Sequence, residues 1–147
     1  MKRAAVAVLV FLGACATTPV SGPSTPGGSA AIPSTPLALG DYRTLNEAQT
    51  LAAFQEAISS RYAAGLAISA AQGDLEHNDF RCGASPGTDA GRGDPPAEVC
   101  RRTITANNCT HTWQVHLFDQ HGDGRLARTR GLYDRRCGGD GLLGGPS

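Results

Sequence analysis

Four cysteines, Cys82, Cys100, Cys109 and Cys137, set the tightest limit on what this 147-residue chain can fold into. Aromatic residues make up only 5% of the sequence, so the apolar core is small and needs covalent support. An even number of cysteines supplies that support as two disulfides where the compartment is oxidising. The start of the chain points to such a compartment. Lys2 and Arg3 precede the apolar run from Ala4 to Leu12, which is too short to span a bilayer and suits a secretory leader. Zinc or thiol redox chemistry fits less well. No Cys-x-x-Cys occurs, and the spacings match no common zinc module.

The leader ends in Leu12-Gly13-Ala14-Cys15, which resembles the lipobox of bacterial lipoproteins. The resemblance implies removal of residues 1–14 as a signal peptide and lipidation of Cys15. It also implies anchoring in a membrane, since two or more acyl chains hold firmly. Ala16 stands where many relatives retained at the inner membrane carry aspartate, so the resemblance implies the periplasmic face of the outer membrane. Residues 15–40 are rich in Pro, Ser, Thr and Gly without helical or strand period. They read as a lipidated, disordered tether spanning roughly 25–30 Å. Residues 41–140 form the globular domain, and residues 141–147 a flexible tail.

Within the domain, Thr44 and Glu47 have the spacing of a capping box. Leu51, Phe54, Ile58 and Tyr62 then recur at helical spacing up to Gly65. A second helix is expected over residues 66–77, with Ile68, Ala71 and Leu75 on one face. Residues 83–96, rich in Gly, Pro and Asp, read as a long surface loop in which Arg92-Gly93-Asp94 is incidental. Three strands are expected over 99–106, 111–119 and 125–134. Asn107-Asn108 and His121-Gly122-Asp123-Gly124 supply the turns between them. The fold class is thus α+β: two N-terminal helices packed on a three-stranded antiparallel meander, stapled by two disulfides. A hairpin that sets His121 against Arg125 also sets Trp113 against Tyr133 and Cys109 against Cys137, which leaves Cys82 for Cys100. The element order over roughly residues 45–137, with Gly65 between the helices and Trp113 on the middle strand, is similar to the small lipoprotein of the outer-membrane assembly complex. It is also similar to helix-helix-sheet modules of periplasmic inhibitors. Neither resemblance carries a functional residue over, and the two disulfides depart from the former.

No nucleophile-elbow serine or phosphate-binding glycine loop is present, and no catalytic residue, cofactor or metal site is assigned. His111 falls on the Trp113 face of its strand and His116 on the other, while His77 sits near a helix end. Asp119, His121 and Asp123 alternate at the hairpin tip, but their acidic ladder is broken and the closing glutamate of a calcium loop is missing. The remaining signal is basic. Arg101, Arg102, Arg125, Arg128, Arg130, Arg135 and Arg136 fall in the expected sheet, with Arg128 and Arg130 opposite the Trp113 face. The chain carries 13 basic and 13 acidic residues, and loss of Lys2 and Arg3 leaves acid in excess. Such a balance gives no reason to expect nucleic acid. The expected function is a non-enzymatic binding or structural module of the envelope, held to a membrane through Cys15. It would meet an envelope protein or an anionic envelope polymer through Arg128 and Arg130. The competing expectation is a periplasmic hydrolase, or an inhibitor acting through the 83–96 loop or the hairpin tip.

Overall fold

The computed structural model describes residues 31–85 and 94–138. The leader, Cys15, most of the tether, the middle of the 83–96 loop and the 141–147 tail lie outside the described residues. Helix α1 runs over Glu47–Arg61 and α2 over Ile68–His77. Strands β1 (Arg81–Ala84), β2 (Glu98–Ala106), β3 (Cys109–Phe118) and β4 (Arg128–Cys137) follow, in a sheet ordered β1-β2-β3-β4 with every pair antiparallel.

The capping box at the start of α1 is built from Asn46 and Gln49 rather than from Thr44 and Glu47. Asn46 Oδ1 accepts the Gln49 N–H at 2.9 Å, and Gln49 Oε1 accepts the Asn46 N–H at 3.3 Å. Thr44 is already engaged in the preceding turn, where its hydroxyl and its N–H both donate to Asp41. Thr50, Phe54 and Ile58 form the buried stripe, and Leu51 is only half-buried. In α2 the expected set Ile68, Ala71 and Leu75 is buried.

The three-stranded expectation is corrected by β1, which adds a fourth, edge strand. Its Arg-Cys-Gly-Ala sequence has none of the β-branched residues that mark strands, and it pairs only because β2 offers it a partner edge. The other strands are offset by up to three residues from their expected limits, yet the register stands. Trp113 faces Tyr133, and Cys109 faces Cys137. Asn107 and Asn108 both take positive φ (51° and 59°) in the tight β2–β3 turn. Before β4, Arg125 bridges Ala67 instead of opposing His121, and Leu126 turns into the core while its N–H donates to the Leu66 carbonyl.

Both disulfides, Cys82–Cys100 and Cys109–Cys137, join directly facing residues of neighbouring strands. The core lies between the helices and one face of the sheet, around Phe54, Ile58, Leu75, Trp113, Val115 and Leu117. Gly131 of β4 lets α1 approach: a Cβ there would stand 3.1 Å from Phe54 Cδ1. Packed residues also occur before Asp41. Leu37 is buried and its N–H donates to Asn78 Oδ1, while the Leu39 carbonyl accepts the indole N–H of Trp113 at 3.0 Å.

Candidate functional site

Side chains alternate across a strand, so the register divides the sheet into two faces. The inner face bears Cys100, Trp113, Val115, Leu117 and Tyr133 beneath the helices. The outer face bears Arg81, Val99, Arg101, Gln114, His116, Arg128, Arg130 and Leu132 at one end, and Thr103, Thr105, Thr110 and Thr112 at the other. No described element covers it.

Arg81, Arg101, Arg128 and Arg130 are all exposed. The ion pairs among the described residues are Arg61–Asp74, Arg102–Asp79 and Arg136–Asp134, so none of these four meets a carboxylate there. Their contacts preserve the charge. Arg128 lies over the Phe118 ring, 3.5 Å from its centroid, and Arg101 donates to Gln114 Oε1 at 3.4 Å. His116 sits half-buried between the two arginine pairs. Burial, then the charges of Arg130 and Arg101, hold its pKa below the usual histidine range. The one outer-face carboxylate, Asp134, lies towards the threonine end and accepts Arg136 Nε at 3.1 Å. By contrast, α1 and α2 carry Glu47, Glu56, Asp74 and Glu76 against the single Arg61. A chain of nearly balanced charge has thus been sorted into an acidic helical layer and a basic sheet face.

The other candidate residues do not gather. His111 is buried on the inner face, with Nδ1 2.7 Å from the Tyr133 hydroxyl, and burial and then Arg135 lower its pKa. His77 stays at the end of α2. Arg102 and Arg135 share the inner parity, and Arg125 donates to the Gly65 carbonyl. At the hairpin tip, Asp119 Oδ1 accepts the N–H groups of His121, Gly122 and Asp123, and Oδ2 accepts that of Gly124. These bonds, led by Gly124, hold Asp119 below the usual carboxylate range. Its carboxylate shapes the turn, and among the described residues no group of three His, Cys, Asp or Glu side chains is placed to hold a metal ion. A shallow groove of about 310 Å³ runs between α1 and β4, lined by Gln55, Ile58, Ser59, Thr129 and Gly131 with Glu56 and Arg130. Gln55 Nε2 crosses it to donate to the Gly131 carbonyl.

Alternation along β4 is enough to place Arg128 and Arg130 on the outer face from sequence. Arg81 is out of reach of that reasoning because β1 carries no strand signal. The fold and this face define a class: a small disulfide-stapled α+β domain with a basic, solvent-facing sheet. Comparison of the chain with protein-family models, with curated proteins and with solved structures finds no match in any of the three.

Proposed function

We propose that this protein is a membrane-tethered, non-enzymatic binding module of the bacterial envelope whose outer sheet face docks an anionic partner. The observation that carries the proposal is the set of exposed arginines, Arg81, Arg101, Arg128 and Arg130, without a paired carboxylate among the described residues of a chain with no net positive charge. Segregation of this kind does not follow from composition, and it raises the local concentration of anions at the face. The lipobox-like Leu12-Gly13-Ala14-Cys15 supplies the anchor in this reading, and the outer membrane, periplasmic side, is the address. Leu37 and Leu39 pack against the domain, so in this reading the tether is shorter than residues 15–40.

The test is a photo-crosslinker at Leu132, on the outer face, in living cells. The native chain should give one saturable adduct in the membrane fraction. The variant Arg128→Glu with Arg130→Glu should lose it while keeping its melting temperature, because both side chains are exposed. An adduct that persists in the folded variant would remove the basic face from the account.

A further inference from the structure

Resting on that reading of the basic face, we infer that its partner is the anionic lipid surface itself, on which the sheet lies flat with the helical layer turned away. Three features of the molecule lead there. The first is shape. The face is an open four-stranded sheet, and its charge is spread rather than gathered into a cleft. Arg81 and Arg101 face each other on β1 and β2, and Arg128 and Arg130 lie on β4. With neighbouring strands roughly 4.8 Å apart, the two arginine pairs stand about 10–15 Å from each other. That spacing suits separate phosphates on a plane better than one small ligand.

The second feature is composition. A protein partner of useful affinity needs a desolvated centre, most often an aromatic anchor. The middle of this face is Gln114 and His116 with the half-buried aliphatic Val99 and Leu132 beside them, and its one phenyl ring, Phe118, is buried beneath the Arg128 guanidinium. What remains exposed suits phosphate groups, to which each guanidinium offers paired donors.

The third feature is polarity. The helices opposite carry Glu47, Glu56 and Glu76 exposed, and their one arginine, Arg61, is committed to Asp74. An anionic plane attracts one side of the molecule and repels the other, so it fixes orientation as well as contact. A domain already tethered by lipid needs little intrinsic affinity for this, because the second contact is intramolecular.

The experiment uses the chain from residue 15 onward with Cys15→Ser, so that no acyl chain contributes. It is sedimented with vesicles of equimolar phosphatidylglycerol and phosphatidylcholine, and with phosphatidylcholine alone. The expected result is binding to the anionic vesicles only, weakening as salt is added. Arg101→Glu with Arg130→Glu should weaken it by about tenfold or more at an unchanged melting temperature. Glu47→Gln with Glu56→Gln should leave it intact or tighten it. A benzophenone side chain at Leu132 should label lipid, and one at Glu56 should not. Equal binding to neutral vesicles, or binding indifferent to the arginine reversals, overturns the inference. If vesicles fail to bind but soluble polyphosphate binds in an arginine-dependent way, the lipid surface falls and the anionic-partner reading stands. If neither binds, both fall.

Discussion

Asp74 accepts more side-chain hydrogen bonds than any other described residue of the helical layer. Its carboxylate accepts Arg61 Nε at 2.7 Å, Arg61 Nη2 at 2.9 Å and the Tyr62 hydroxyl at 2.6 Å. Arg61 in turn donates to the Pro33 carbonyl, so one side chain ties α1, α2 and the incoming chain together. Burial alone pushes the Asp74 pKa up, but the hydrogen bonds from Arg61 and Tyr62 overcome it and hold the group below its ordinary value. The sign of the pH dependence follows. A carboxyl with a lowered folded-state pKa contributes stability above its unfolded value of about 4 and loses it as pH falls through the folded value. Chemical denaturation across pH 2–7 should therefore show an acid limb that Asp74→Asn flattens. At pH 7 the same substitution should cost about 2–3 kcal/mol, because the Arg61 and Asp74 side chains are only 7% and 14% exposed. Burial first and then Asp74 push the Tyr62 pKa far above the usual phenol range, so the tyrosine remains a donor throughout.

Of the contacts between helices and sheet, that of α1 with β4 is the most extensive, and Gly131 permits it. Gly131→Ala would place a methyl 3.1–3.2 Å from the Phe54 ring, against a helix also bonded to the Gly131 carbonyl through Gln55. The expected cost is about 1–3 kcal/mol of overpacking, measurable as a lower urea midpoint. Which elements could be read from sequence depends on how local their cause is. The buried positions of α2 and the Trp113–Tyr133 register follow from spacing of 3.6 and 2, so they are visible without the fold. The cap of α1 sits two residues later than expected because Asp41 competes for Thr44. Strand β1 and the packing of Leu37 and Leu39 depend on partners far along the chain. Asn78 is 41 residues from Leu37, and Trp113 is 74 from Leu39. A Pro/Ser/Thr-rich segment with two leucines gives no local hint of either. The same locality governs the basic face: Arg128 and Arg130 are visible through alternation, whereas Arg81 joins them only through β1.

In the whole molecule, the two disulfides do for this small core what additional apolar burial does for a larger one. They close loops of 18 and 28 residues. In the chain-entropy account each contributes about 3–4 kcal/mol by restricting the unfolded ensemble. Cys82→Ser with Cys100→Ser, and Cys109→Ser with Cys137→Ser, should each lower stability by about that amount in equilibrium denaturation, the second pair somewhat more. Because the loops lie side by side along the chain rather than nested or interleaved, each bridge can be removed while the other still encloses its own segment. The same arrangement has a mechanical meaning. A pull applied along the chain from its N-terminal side reaches each bridge as a covalent shortcut, so the 18- and 28-residue segments carry no load even when the domain is torn open. Roughly 150–165 Å of contour length is thereby held in reserve and is released only by reductant, at about 3.3–3.6 Å per residue. Strands β2 and β3, joined by a tight turn and no sulfur, are the seam that force can part.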